Sequence, residues 1–574
     1  MEVVLDIETD DLNATTIHCI VAKDISTGSI YTFKKEECYR DFPAFARNVE
    51  KYIMHNGLSF DAPVLNRLTG VGIKVSQVLD TLLLSQLTSP VRDGGHSLGA
   101  WGERLGFPKI HFKEFSEFTE EMLHYCINDV NLTHRLYIAL LPELRNISKE
   151  CVDLEHTIRV LINEQEKNGF TLDIQKSLIL ISKLKDRANA IEREVQAIFP
   201  PIPVAVKEVM PKFKKDGTLS NVGLRHIGED LSCVVGPHTA IEYQEFNLQS
   251  RQQIVRRLML CGWQPEKFTD KGQATVDETV LMAVDIPEAK KIAEYLLLEK
   301  RVAQVQSWLD LVQNDGKVHG KVLTLRAISG RMAHHSPNVA QVPAKYSPYG
   351  KECRECWTVS GPDLVLVGCD ASSLELRGLA HYLQDPNFTK EVVEGDIHTA
   401  NQKAAGLETR DQAKTFIYAF IYGAGPAKIG KIVGGDASRG KELIDKFLEN
   451  VPALATFRAK VDRISKTGFL PGIDGRKLVV RSEHAAVNLL IQGAGAVICK
   501  QWLVEIHKLK KKHGIDARLV ASIHDEYQFE VSKLQAEAFG KITKQAMKSV
   551  EKILKVRCPL DSEYHIGNNW SETH

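Results

Sequence analysis

The residues of this chain best able to do chemistry are carboxylates set in small groups. Asp370 follows a short apolar run, 364–369, and precedes an amphipathic stretch opening near Leu374, in LVLVGCDASSLELRGLAHYL. A strand that ends on a carboxylate and turns at once into a helix is a good mount for a metal ligand. The sheet fixes the group and the turn exposes it. A second pair, Asp525-Glu526, lies in LVASIHDEYQFEV, another strand pattern. Close carboxylates repel unless a dication lies between them, so Asp370 and Asp525, distant in the chain, belong together only around metal ions. Between them Arg410, Lys414, Tyr418 and Tyr422 recur at steps of four, on one face of a helix.

The N-terminal stretch carries another set. Asp6 and Glu8 are two apart in the strand-like VVLDIET and share a face. Next come His55-Asn56-Gly57 with Asp61, then Tyr125 and Asp129, one turn apart in the helical EEMLHYCINDVNLTHRL. Asp6, Glu8, Asp61 and Asp129 with a tyrosine hydroxyl fit two-metal phosphodiester hydrolysis, in which ions about 4 Å apart stabilise the attacking hydroxide and the leaving oxygen. Singly, each Asp reads as a turn or cap residue; three clusters in order do not. Asp80, in LDTLLL, reads as a cap.

Positioning such groups takes several elements. Strands at 3–8, 364–370 and on both sides of Asp525 alternate with amphipathic helices, an α/β (α+β) pattern. The stretch 153–169 has helical spacing and ends at Gly169 as a C-cap, and 176–198 is a long charged helix. Pro200, Pro201, Pro203 and Pro211 break it. They open a segment with Lys207, Lys212, Lys214, Lys215 and a DGT turn, which reads as a surface loop. GFLPGIDGRKLVVR, 468–481, reads as a hairpin turning at DG, with Arg476 and Arg481 as phosphate-binding candidates. A long helix over 485–513 precedes Asp525.

The chain has 574 residues, too many for one core, so three to four domains are expected. Its 73 basic and 73 acidic side chains cancel, so only a local basic cleft could mark a nucleic-acid surface. Eleven scattered cysteines read as reduced, buried thiols, and Cys353/Cys356 lack the second pair that a structural zinc site needs. No apolar run approaches the roughly 20 residues of a membrane span, and the acidic start lacks a secretory n-region. The expected location is cytoplasmic, in a host cell if the chain is viral.

RDQAKTFIYAFIYGAG, GDIHT, DGRK and SIHDE together resemble the palm-and-fingers motifs of the polymerase I family (family A) of DNA polymerases, most of all those of T-seven-type phages. The resemblance implies an N-terminal RNase H-like 3′–5′ exonuclease over 1–145, of the class named for its tyrosine. A right-hand polymerase comes after it: linker helices and thumb over 146–325 with a thumb insertion at 199–245, palm over 326–400, fingers over 401–480, and palm with tail over 481–574. It implies that Asp370, Asp525 and the carbonyl of Ala371 hold two magnesium ions, with manganese as a substitute, while Glu526 tunes the field. Lys414 would protonate pyrophosphate, and Arg410 and His398 would join it on the phosphates. Glu375 with Tyr422 would exclude a ribose 2′ hydroxyl, and Tyr418 would let dideoxynucleotides in.

SGR at 329–331 with Pro337-Asn338, Gln341 and Pro343 resembles the family segment that reads primer-template. Arg331, Asn338, Gln341, Gln492 and His524 are therefore expected at the minor groove, where acceptors occur on every base pair. In the nuclease, Tyr125 would orient water beside Asp6, Glu8, Asp61 and Asp129. The resemblance implies primer-template DNA and deoxynucleoside triphosphates as substrates, and a host thioredoxin and a phage helicase-primase as partners; the insertion either docks the thioredoxin or contacts DNA itself through phosphate charge. With the nuclease motif starting at residue 6, no 5′ nuclease is expected. A repair-type polymerase and a non-catalytic DNA-binding scaffold are the alternative readings.

Overall fold

The computed structural model describes residues 1–210, 213–217, 238–269 and 271–574. Pro211, Lys212 and Thr218, together with the rest of the insertion at 219–237, lie outside the described residues. The chain forms two compact units, Met1–Thr171 with Val312–His574, and Leu172–Leu311.

The first unit contains two main sheets. The N-terminal one has strands β1 (Glu2–Thr9), β2 (Ile17–Asp24), β3 (Ile30–Lys34), β4 (Lys51–Met54) and β5 (Val78–Asp80), in the order β3-β2-β1-β4-β5. β1 is central: it runs antiparallel to β2 and parallel to β4. Its near-continuous burial matches a strand covered on both faces. Glu8 pairs with Cys19, and a bulge occurs at Glu8/Thr9, where the ladder ends beside the carboxylates. Helix Glu120–Leu144, capped by Thr119 onto the Met122 amide, lies over one face. Met122, Cys126 and Val130 pack there with Val4, Cys19, Val21 and Ile53. Asp80 caps helix Thr81–Thr88 and also accepts from the amides of Asn56 and Leu58, as a cap rather than an exposed ligand.

The second sheet is antiparallel and four-stranded: Ala517–Ile523, Glu526–Ser532, Leu364–Ala371 and Ser562–Gly567, in that spatial order. Helices Lys149–Asn168, Ala486–Lys512 and Ala536–Ile553 supply Ile158, Val497, Trp502 and Met547 to its core. Glu155 lies fully buried between Lys500 and Arg476, at 2.7 Å from each. Arg476 is also 2.7 Å from Asp474 and is 2% exposed, so it is a buried structural cation and not the phosphate ligand that DGRK suggested. The DG hairpin itself forms, over Phe469–Pro471 and Lys477–Val479, and Arg481 beyond it is exposed.

One helix here differs from expectation. Glu483–Lys512 contains a stretch long and apolar enough to cross a membrane by length and composition, yet 89% of it is buried in the protein. It is apolar because it is surrounded by core. Nine of the ten described cysteines are buried; Cys261 is exposed. Cys356 donates to the Glu352 carbonyl at 3.3 Å, within its own helix.

The second unit pairs helices Ile174–Ile198 and Pro287–Leu309, tied by Arg187–Glu294 at 2.8 Å and Lys291–Glu194 at 2.7 Å. The prolines end the first helix, but the chain beyond it is not a plain loop. Ile202–Val209 and His238–Gln244 form an antiparallel hairpin with Pro203 inside the first strand. A two-stranded ribbon has edges on both sides, where a missing N–H is tolerated. Val206, Met210, Phe213, Ile241 and Tyr243 are exposed on and beside it.

Candidate active sites

The N-terminal carboxylates converge. Asp6 and Glu8 project from one face of β1, Asp61 opens helix Asp61–Thr69, and Tyr125 and Asp129 come from helix Glu120–Leu144. Glu8, Asp61 and Asp129 are 8%, 4% and 2% exposed. Burial raises the Asp6 carboxyl well above its usual range, and Asp61, Glu8 and Asp129 raise it further. Burial, with Cys19 and Asp129 nearby, pushes Glu8 up to about 9. Asp61 is raised to about 7, mainly by burial. The buried oxygens Asp61 Oδ1 and Asp129 Oδ1 have no hydrogen-bond partner in the protein. Crowded acids with unanswered oxygens are the donor set a hard divalent cation needs.

Sequence reasoning missed two members of this cluster. Lys109 Nζ lies 2.5 Å from Asp129 Oδ2 and 4.9 Å from the centre of the Tyr125 ring. It comes from an irregular segment with no periodicity to flag it. Cys126 Sγ stands 3.9 Å from Asp6 Oδ2; its signal was its place between Tyr125 and Asp129. Tyr125 stacks on Phe112, ring centres 5.5 Å apart, and burial pushes its hydroxyl up to about 12. Burial holds His55 down at about 3, as a neutral ring on the Thr81 hydroxyl at 2.9 Å.

The second sheet brings Asp370 and Asp525 together. Asp370 pairs with Glu526 across the ladder, and the Ala371 amide donates to the Asp525 carbonyl at 3.1 Å. Ile523 pairs with Glu526, so His524 and Asp525 form a two-residue turn, with His524 held at φ 55. Ser373, where the other strand turns into helix Leu374–Leu383, sits at φ 50. Left-handed conformations at non-glycine residues are characteristic of functional turns. Burial raises Asp370 to about 7, and Asp525 and Glu526 add to this. Asp525 is raised as well, mainly by burial.

Glu526 behaves differently. Gln528 and Trp570 donate to Oε1, both at 2.6 Å, and the His574 ring is 2.7 Å from Oε2. Burial alone would raise this carboxyl. The His574 and Gln528 hydrogen bonds, with Arg354 nearby, more than offset it and hold Glu526 below its usual range. With its oxygens engaged, Glu526 is a neighbour of the pair, and Gln528, Trp570 and His574 together hold it.

Facing this pair is helix Arg410–Ile421, started by a Thr409/Gln412 capping box. Ala413, Phe416, Ile417 and Phe420 are buried, while Arg410 and Lys414 are exposed and Tyr418 is partly so. Tyr422 is the C-cap, and its hydroxyl meets both Glu375 oxygens at 2.8 Å. Arg331 reaches the same carboxylate at 3.1 Å. Asp396, overlooked in GDIHT in favour of His398, takes Arg410 Nε at 2.7 Å and caps the helix that carries His398. The His398 ring is 6.1 Å from Tyr418, with Nδ1 buried and unpartnered. Burial, then Arg410 and Lys414, lowers its pKa. Asn338 begins the turn Val339–Gln341 with a buried, unpartnered Oδ1; Gln341 is exposed and Gln492 half-buried on helix Ala486–Lys512.

Comparison with known proteins fits this geometry. Residues 226–572 match the model for DNA polymerase family A, and residues 1–145 match a 3′-5′ exonuclease model. The chain is 34% identical to the DNA-directed DNA polymerase of Enterobacteria phage T3 over 706 aligned positions, covering all of both proteins. It is 34% identical to that of Escherichia phage T7 over 703 positions, again in full. Both alignments exceed the 574 residues here, so those relatives carry segments this chain lacks. A solved structure described as the POL domain of Pol1 from M. smegmatis in complex with DNA primer-template and dNTP has the same fold, with a TM-score of 0.79 at 18% identity. It covers 100% of this chain and 96% of that one.

The chain therefore belongs to DNA polymerase family A, with a 3′–5′ exonuclease domain at its N-terminus. Within that family it is closely related to phage replicative polymerases. Divalent-metal dependence is general to both kinds of domain.

Proposed function

We propose that the chain replicates phage DNA, adding deoxynucleotides to a primer 3′ end at Asp370 and Asp525 and removing misincorporated ones at Asp6, Glu8, Asp61 and Asp129. The observation that carries this reading is the meeting of Asp370, at the end of its strand, with Asp525, in the turn before the strand paired with it, both raised by burial and Asp370 further by Asp525. Asp370, Asp525 and the Ala371 carbonyl would hold two magnesium ions, which at such a centre activate the 3′ hydroxyl and neutralise charge on the triphosphate. Lys414 and Arg410, one turn apart on an exposed face, bind successive phosphates, and Lys414 gives its proton to the leaving pyrophosphate. Arg410 must leave Asp396 to do so. His398 completes the phosphate contacts.

Glu375, fixed by Tyr422 and Arg331, closes the space beside the sugar and so favours deoxyribose. Arg331, Asn338, Gln341, Gln492 and His524 contact the minor groove, where they test pair shape. At the other centre, Asp6, Glu8, Asp61 and Asp129 would hold a pair of magnesium ions, and Tyr125 orients the attacking water. The exposed apolar residues Val206, Met210, Phe213, Ile241 and Tyr243 support a protein partner on 199–245, which we take to be a host thioredoxin.

Primer extension with magnesium tests the reading. The wild-type chain extends a primer, Asp370→Ala does not, and Asp6→Ala extends but no longer degrades a mismatched 3′ end. Extension undiminished in Asp370→Ala overturns it. Capture of thioredoxin by the full chain, lost when 199–245 is deleted, tests the partner.

A further inference from the structure

A charged stripe runs along the buried side of helix Lys149–Asn168. Glu155, Arg159 and Glu166 are spaced i, i+4 and i+11, which places them on one helix face. Glu155 and Arg159 are 0% and 8% exposed. The stripe supports a hairpin made by Lys321–Leu323 and Ala333–His335. Arg159 Nη1 donates to the Val322 carbonyl at 2.7 Å, the Val322 amide donates to Glu166 Oε1 at 3.0 Å, and Arg159 Nη2 reaches the same oxygen at 2.9 Å. Glu155 Oε2 takes Lys500 Nζ at 2.7 Å, and Lys500 also donates to the Thr324 carbonyl at 2.9 Å. Glu155 Oε1 takes Arg476 Nη2 at 2.7 Å. The buried Arg476 Nη1 has no hydrogen-bond partner in the protein, and a Cβ at Gly330 would lie 2.7 Å from it. Gly330, at φ 79, thus lets the loop between the two strands lie on the guanidinium. The next residue is Arg331, which reaches Glu375.

We propose that Glu155, Lys500 and Arg476 are positioning residues for Arg331: they fix the loop 324–332 so that the Arg331 guanidinium meets the minor-groove acceptors of the primer. A buried ion pair adds little stability over well-packed hydrocarbon of the same volume, so charges set under this loop need another reason. Their hydrogen bonds fix direction as well as distance, which hydrocarbon cannot do. Lys500 ties the start of the loop, Arg476 supports Gly330 beside Arg331, and Glu155 holds both cations in place. Arg159 and Glu166 fix the strand from which the loop springs. The inference rests on the minor-groove role proposed above for Arg331 and adds what holds that side chain there.

The test uses the full chain and primers in which 3-deazaguanine, with C–H where guanine has its N3 acceptor, replaces guanine at single positions near the 3′ end in turn. At the sensitive position the wild-type chain should extend the guanine primer about 10–100-fold faster, the range of a hydrogen bond to a charged group. Arg331→Ala should bring that ratio close to one. Arg476→Lys keeps the positive charge but has no Nη1 beneath Gly330, and should lower the ratio toward one. Glu155→Gln/Lys500→Met removes two opposite charges together, a change that proteins often tolerate, and should lower the ratio as well. A variant that is merely less stable extends both primers more slowly by the same factor, so the ratio reads the position of Arg331 and not folding. The double variant decides the matter where Arg476→Lys does not fold. A wild-type ratio in Arg476→Lys and in the double variant, with the ratio lost in Arg331→Ala, overturns the positioning role and leaves the reading of Arg331 standing. A wild-type chain indifferent to the replacement, or an Arg331→Ala variant that keeps the ratio, overturns the reading of Arg331 and the positioning role with it.

Discussion

The two carboxylate centres handle like charge in opposite ways. At the nuclease centre all the acids stay near one another, and Lys109, 2.5 Å from Asp129, supplies an internal positive charge. At the polymerase centre one acid of three is withdrawn: Trp570, Gln528 and His574 engage Glu526, leaving Asp370 and Asp525 as the open pair. Burial raises Asp370 and Asp525, whereas hydrogen bonds from the His574 ring and Gln528 hold the buried Glu526 low. Similar residue types therefore do different work, and hydrogen-bond satisfaction tells them apart.

The sharpest break in the comparison comes from removing one acid at each centre. Asp370→Ala and Asp525→Ala should lower primer extension by about 10³-fold or more while leaving 3′–5′ degradation intact. Asp6→Ala should give the reverse pattern, because a lost preorganised electrostatic group costs about 10²–10³ and a metal ligand reaches or exceeds that range. Extension and gel assays on the same preparations measure both. Equal loss of both activities in either variant would mean that the centres are not separate.

A smaller effect tests what surrounds the open pair. Both centres set a cation against a carboxylate: Lys109 against Asp129, and Arg331, with the Tyr422 hydroxyl, against Glu375. Glu375→Ala should raise ribonucleotide incorporation relative to deoxynucleotide by about 10–100-fold, the scale on which pocket contacts discriminate. Competition between rUTP and dTTP reads the ratio. An unchanged ratio would remove Glu375 from sugar selection.

The acids also separate by pH. In the metal-free protein Asp370, raised from 3.8 to about 7, and Glu8, raised from 4.5 to about 9, keep protons that the unfolded chain gives up. Their contribution to stability is full below the unfolded values and is lost as pH rises through the folded ones. Thermal midpoints in chelator should therefore fall between about pH 4 and 9. Asp370→Asn should flatten the lower part and Glu8→Gln the upper, and saturating Mg2+ should flatten both. Midpoints that rise with pH across this window would contradict the burial of these groups.

Much of this was legible in the sequence where the signal was local. The strand before Asp370, the C-cap Gly169 and the i, i+4 pair Tyr125/Asp129 are each set by a few neighbouring residues, and all lie in the elements expected. Long-range pairing escaped. Arg476 looked like a phosphate ligand because Glu155, its buried partner, is 321 residues away. Lys109 sits in a segment without period, and although Glu526 is set apart from Asp525 as a neighbour, nothing local shows Trp570 and His574 as its partners. The hairpin in the second unit was hidden by Pro203, which argues against a central strand but not against an edge.

The finest test concerns how Glu526 is withdrawn. Gly368, in the strand that carries Asp370, has no side chain, and a Cβ there would lie 2.4 Å from Gln528 Nε2 and 2.4 Å from the Thr573 carbonyl. That absence lets the last residues lie flat on the sheet, with the Thr573 hydroxyl on Gln528 Oε1 at 2.8 Å and His574 against Glu526. Gly368→Ala should push Thr573 and His574 away, at a cost of about 1–3 kcal/mol in denaturant unfolding, as overpacking typically does. It should also release Glu526 from the contacts that depress it. Stability from a depressed acid is present above its unfolded pKa and lost as pH falls through the folded one. The variant should therefore lose primer extension at a higher pH than the wild type as the solution is acidified. Degradation of a mismatched 3′ end should keep its wild-type pH profile, because Asp6, Glu8, Asp61 and Asp129 make no contact with the tail. If the profile for extension does not move, neither the Gln528 nor the His574 contact sets the charge beside Asp370, and Trp570 alone holds Glu526.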